Sequence, residues 1–177
     1  MPELPRYADV HSHHIEGWAD GHGDLGEIPL VSHIEGNLWM GGCIDGVPLP
    51  DDFGYVVSLY PWERYVLAPT TERFEFHLYD AGVVPDLRIL HTAARQVLDA
   101  TAQGPTLVHC QAGLNRSGLV AGLALVLDGR DADEVITLLR RRRSPAVLCN
   151  QVFEAWLRAV DPDELPPPAA IPDDAGR

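Results

Sequence analysis

The chain has 177 residues, 46% of them hydrophobic and 22% charged, with a formal net charge of −13. That length suits one domain with a substantial core and is short for two. The acidity disfavours broad binding to nucleic acid or anionic membrane, and the longest apolar run, residues 119–127, falls well short of a membrane span.

The charge is unevenly spread. Residues 1–35 hold seven acids against Arg6 alone, residues 161–177 hold five against Arg177, and residues 36–160 hold fourteen against eleven arginines. There is no lysine, so every basic side chain is Arg. Three cysteines form no disulfide framework, and the N-terminus has no basic region followed by an apolar one. The expectation is a cytoplasmic chain without a leader.

Residues 1–35 are rich in His, Gly, Asp and Pro and read as an acidic segment of loops, packed on or extending from the domain. Residues 36–160 read as the domain itself. Residues 37–42 suggest a short strand ending in Gly41 and Gly42, and residues 46–54 a loop or short helix. Residues 55–60 form a buried strand by their β-branched and aromatic content, stopped by Pro61. Residues 73–79 alternate as a half-buried strand does.

Residues 86–101 are predicted helical, with Leu87, Leu90, Ala94, Val97 and Leu98 at helical spacing and Asp86 as cap. Residues 105–109 are the central strand. Residues 117–127, apolar all round, are a buried helix ended by Gly129. Residues 131–142 start with Asp131 and Glu134 at capping-box spacing. Residues 149–160 are the last helix, with Val152, Phe153, Trp156 and Leu157 on one face. Residues 161–177, with five prolines and no periodicity, read as disordered. Strands followed by helix, strand and three helices predict an α/β domain with helices against a central sheet.

Residues 109–118 read His-Cys-Gln-Ala-Gly-Leu-Asn-Arg-Ser-Gly, between the central strand and the buried helix. As strand, loop and helix, this is a cradle for a phosphate dianion with a thiol beneath it. Backbone N–H groups of Gln111, Ala112, Gly113, Leu114, Asn115 and Arg116 can converge on an anion, and the following helix adds its positive dipole end. Arg116 offers a planar fork to two phosphate oxygens. Cys110, facing those donors, should ionise readily and act as nucleophile.

Cys-x5-Arg-Ser preceded by His resembles the signature of the cysteine-based protein tyrosine phosphatases, and most of all their dual-specificity branch. The resemblance implies a central mixed sheet flanked by helices, with the phosphate-binding loop between central strand and helix. It implies a phosphatase of phosphate monoesters, acting on phosphotyrosine and, with a shallow pocket, on phosphoserine and phosphothreonine of proteins. A cysteinyl-phosphate is the intermediate, and no metal or organic cofactor is expected. The family's general acid is an Asp on a loop after a strand. Asp80, thirty residues before Cys110 and next to Tyr79, fits it better than Asp86, which is explained as a helix cap. Ser117 would donate a hydrogen bond to the Cys110 sulfur and could also cap the helix. His109 would orient the loop from behind.

Asn115 before the arginine looks like the RNA 5′-triphosphatase branch, which is the alternative activity, although the Thr-His pair usual there is missing. A catalytically impaired phosphate-binding module is the non-enzymatic alternative. Arg140 to Arg143 would be a solvated helix end or, by the resemblance, a grip for a second anionic group. Residues 9–14, Asp-Val-His-Ser-His-His, resemble the metal-binding start of amidohydrolase barrels, but the chain is too short for such a barrel. No membrane and no nucleic-acid partner is expected, a phosphorylated protein or other phosphoester being the substrate. Cys43 and Cys149 receive no role.

Overall fold

In the computed structural model of the protein, residues 28–60, 62 and 65–169 are described. Among these residues, five strands form one mixed sheet. β1 (Val31–Glu35) and β2 (Leu38–Gly41) make an antiparallel hairpin, turned at Gly36 in the left-handed region and bulged between His33 and Glu35. β3 (Tyr55–Ser58), β4 (Glu72–Glu75) and β5 (Thr106–His109) complete it in the order β1-β2-β5-β3-β4, and every pairing except the hairpin is parallel. All four residues of β5 are buried, as a central parallel strand requires. In register, Gly41 of β2 and Ser58 of β3 flank His109, so three strand ends meet where β5 gives way to the loop of residues 110–115.

Among the described residues, four helices flank the sheet. α1 (Leu87–Gln103) is capped by Asp86, whose carboxylate accepts from the N–H groups of Arg88 and Ile89. α2 (Arg116–Leu127) is buried along residues 116–126 and packs against β2, β5 and the other helices. α3 (Ala132–Arg142) has Asp131 as its cap, accepting from Asp133 and Glu134 N–H, with three arginines in its last turn where the dipole favours cations. α4 (Gln151–Ala159) is capped by Asn150 and buries Phe153 and Leu157. Gly122 lies against Leu157, where a Cβ would come within 2.6 Å of its Cδ2, so α2 and α4 approach closely. The core runs continuously from Leu30 and Ile34 through Met40, Val57 and Val108 to Leu119, Leu123 and Phe153.

Two expectations are corrected. Residues 28–35 are not surface loop. Ile28, Leu30, Val31 and Ile34 are buried, and β1 closes one edge of the sheet. Its short, bulged apolar pattern is masked by Ser32 and His33. Residues 161–169 are not a free tail either. Pro162–Glu164 form a 3-10 turn, the carbonyl of Pro166 accepts from His91 Nδ1 at 2.7 Å, and Ala169 N donates to Thr92 Oγ1 at 2.8 Å. Both acceptor and donor sit on α1, so this segment is docked by backbone contacts that composition does not reveal. The histidine-rich residues 9–14 and the last eight residues lie outside the described residues.

Candidate active site

The β5–α2 loop is shaped by two glycine contacts. Gly113 has φ +73°, and a Cβ there would lie 2.3 Å from the Gly41 carbonyl carbon. The loop therefore rests on the Gly41-Gly42 backbone with no room for a side chain. Cys43 N donates to Gln111 O at 3.0 Å and Cys110 N to Gly41 O at 3.3 Å, tying the loop to the end of β2.

Inside the loop, Cys110 is buried. Gly113 N–H points at its Sγ from 3.3 Å and Ser117 Oγ lies 3.4 Å away. Burial works against ionisation, but the Arg116 charge, the Ser117 hydroxyl and the backbone N–H groups of Ser117 and Leu114 outweigh it. The Cys110 thiol is held below its ordinary value. Arg116 is itself buried. One Nη donates to Leu78 O at 3.3 Å, the guanidinium stacks 4.7 Å from the Tyr60 ring centre, and Nε has no hydrogen-bond partner among the described residues. Helix α2 begins at Arg116, so Ser117 lies in the first turn and Asn115 is the residue before it. Asn115 makes no side-chain cap and turns its amide elsewhere.

That amide leads to Asp80. Asn115 Nδ2 donates to Asp80 Oδ2 at 2.9 Å, and Asn150 Nδ2 donates to Asp80 Oδ1, also at 2.9 Å. The half-buried carboxylate of Asp80 is thus brought to the β5–α2 loop, whereas Asp86 serves as the cap of α1.

His109 lies wholly buried behind the cysteine. Its Nδ1 faces Cys110 O at 3.3 Å and its Nε2 meets the Tyr65 hydroxyl. Burial pushes His109 down to about 3 and Tyr65 up to about 12. Both are neutral near pH 7, so Tyr65 O–H donates to Nε2 and Nδ1–H donates to the carbonyl, which sets the tautomer.

Some participants were not legible in sequence. Tyr65 sits in an irregular segment with no periodic signal. Arg143 was one arginine in a run of four. It proves to be buried, donating to Ala112 O at 3.3 Å, Gly113 O at 3.2 Å and Ser32 Oγ at 3.1 Å. Arg140 is engaged by Val147 O, Leu148 O and Glu154. The run therefore splits into two anchored side chains and two exposed ones, Arg141 and Arg142. Asn150 carried a detectable signal, since an Asn ahead of an apolar helical stripe is a helix cap, but its second contact carried none.

Residues 64–137 match a family model described as the tyrosine phosphatase family. Over 74 residues the chain is 40% identical to protein tyrosine phosphatase PRL-1 of Leishmania major, covering 40% of this chain and 41% of that protein. The chain thus matches about two fifths of that curated relative's length. Among solved structures it is similar to a mouse putative dual specificity phosphatase complexed with zinc tungstate, with TM-score 0.62 and 19% identity, covering 73% of this chain and 85% of the other. It is also similar to human DUSP28, with TM-score 0.61 and 17% identity, covering 73% and 91%.

Proposed function

The chain is tyrosine-phosphatase-like, with a dual-specificity-like fold, and from that premise we propose that it hydrolyses phosphate monoesters through a cysteinyl-phosphate. The observation that carries the reading is the setting of Cys110, a buried sulfur met by loop N–H groups and the Ser117 hydroxyl, with Arg116 beside it. Sγ attacks phosphorus in line with the ester oxygen, forming S–P as P–O breaks. Arg116 and the amides of residues 111–116 stabilise the equatorial oxygens. The buried, unpartnered Nε of Arg116 is a donor suited to one of them. Asp80 gives its proton to the departing oxygen, then takes one from the water that attacks phosphorus and releases phosphate. The thiolate leaves again, with the Ser117 hydroxyl donating to the sulfur. No step requires a metal or cofactor.

The substrate class proposed is phosphotyrosine and, as pocket depth allows, phosphoserine and phosphothreonine on proteins. The exposed rings of Trp62 and Tyr79, 5.6 Å apart, stand beside Tyr60 and Asp80 and offer an apolar surface to residues flanking the phosphate. Asn115, which in sequence suggested a 5′-triphosphatase, has a use here that any phosphoester chemistry could share, its contact with Asp80. No helix among the described residues is long and apolar enough to cross a membrane, and the proposed setting is the cytoplasm.

The test is hydrolysis of para-nitrophenyl phosphate with excess chelator, wild type beside Cys110→Ser. Activity that survives chelation and disappears in the serine variant is expected. Activity lost to the chelator and retained in the variant would replace this reading with a metal-dependent one. Inertness of both proteins toward this ester, with retained phosphate binding, would favour a binding module.

A further inference from the structure

Asn115 and Asn150 gather three separate segments around one carboxylate. Asn115 belongs to the phosphate loop, Asn150 heads α4, and Asp80 lies on the connection between β4 and α1. Each oxygen of Asp80 accepts one amide N–H at 2.9 Å, and Asn150 Nδ2 also donates to Ala81 O at 2.9 Å. The orientation of both amides is determined from their other ends. Asn115 Oδ1 accepts from Asn150 N at 3.0 Å and from Cys149 Sγ at 3.1 Å. Asn150 Oδ1 accepts from Val152 N at 3.1 Å and Phe153 N at 3.4 Å. A flipped amide would set oxygen against the Asp80 carboxylate and nitrogen against N–H donors, so only one orientation satisfies all partners. Both asparagines are about 1% exposed. Buried amides with every contact matched specify one geometry strongly.

We propose that Asn115 and Asn150 are positioning residues that seat Asp80 on the rim of the phosphate loop, so that its proton is delivered above Cys110. The inference rests on the assignment of Asp80 as proton donor and goes beyond it by naming what holds the donor. Asn115 is one residue from Arg116 and five from Cys110, so the seat belongs to the same rigid loop as the anion cradle. One lone pair on each Asp80 oxygen is taken by an amide, and the other remains for the proton shared with the leaving oxygen. Asn150 performs two tasks through two atoms. Its carbonyl caps α4 and its amide nitrogen holds Asp80, so the tasks can be separated by substitution.

The experiment compares kcat/KM for para-nitrophenyl phosphate, whose leaving group needs little protonation, with kcat/KM for phenyl phosphate, whose leaving group needs it. The proteins are wild type, Asp80→Ala, Asn150→Ser, Asn115→Ala, and each asparagine variant combined with Asp80→Ala. Serine keeps a helix cap while removing the amide donor, and Cys110 alkylation rates show that the phosphate loop is intact. Misplacing a proton donor by about an ångström costs roughly 10–100-fold. The expected result is a loss of that order in kcat/KM, which covers the steps through release of the leaving group, on phenyl phosphate for Asn150→Ser and Asn115→Ala. The loss on the nitrophenyl ester is expected to be several times smaller, and Asn150→Ser should add no loss in the Asp80→Ala background. Equal slowing of both esters by the asparagine variants, or full additivity with Asp80→Ala, would overturn the positioning role while the phosphatase reading stands. An Asp80→Ala variant that slows both esters equally would overturn the acid assignment and this inference with it. A wild type inert toward both esters would remove the phosphatase reading as well.

Discussion

A thiol at Cys110 sits in surroundings that by burial alone would keep it protonated, and its ionisation depends on a few named groups. Arg116 is the largest of the favourable ones. Cys110 should therefore be alkylated by iodoacetamide at a pH below that of an ordinary thiol. Arg116→Ala should move the midpoint of the rate-against-pH curve upward; an unchanged midpoint would transfer the effect to the loop amides. His109 shows the opposite balance. Its folded value lies near 3, below the 6.5 of an exposed histidine, because burial excludes the charged ring. Below 6.5 the unfolded chain binds a proton that the folded one refuses. The stability contributed by the neutral ring is complete above that pH and is lost as pH falls toward 3. Between pH 7 and 5 the loss is about 2 kcal/mol from this group. Urea unfolding at both pH values measures it, and His109→Asn should show a smaller acid loss than wild type; an equal loss would assign it to carboxylates.

At the scale of elements, the β5–α2 loop depends on backbone conformation as much as on side chains. Gly113 is in the left-handed region and in contact with the Gly41 backbone, whereas Gly129, with φ +93°, has nothing within 4 Å of an added Cβ. Gly113→Ala should cost at least about 2–3 kcal/mol and weaken phosphate binding, since strain and clash add. Gly129→Ala should cost about 1 kcal/mol and leave binding unchanged. Denaturant unfolding and phosphate titration compare the two, and equal costs would show that loop and β2 can move apart freely. Arg143 belongs to this scale as well, as a buried cation tying α3 to the carbonyls of Ala112 and Gly113 from below. Local patterns revealed the elements here because their causes are local. The α1 and α3 caps, the four buried residues of β5 and the apolar α2 lie within single stretches of chain. β1 and the docked residues 161–169 leave no such local pattern, because what holds them is a neighbour: β2 for one, and the side chains of His91 and Thr92 on α1 for the other.

The whole molecule is organised around α2, which carries Arg116 and Ser117 at one end and is enclosed by the sheet and the other helices. Leu123, fully buried in its middle, should cost about 2–5 kcal/mol when cut to Ala. Thermal unfolding reads that loss, and turnover at low temperature should survive it, because the loop geometry is held by β2 and Arg143 rather than by the centre of the helix. Loss of turnover in a still-folded variant would show that the core reaches further into the site. The proposed cradle was legible in the sequence alone. Its thiol, its arginine and its loop amides lie within residues 110–117, and a strand–loop–helix turn of that length has few ways to fold. The tertiary structure decided what surrounds it. Asp80 meets Asn115 across 35 positions, Asn150 meets Asp80 across 70, and Arg143 meets Ser32 across 111. Such meetings follow from parallel register and helix packing, which act between segments, and no pattern within one segment encodes them.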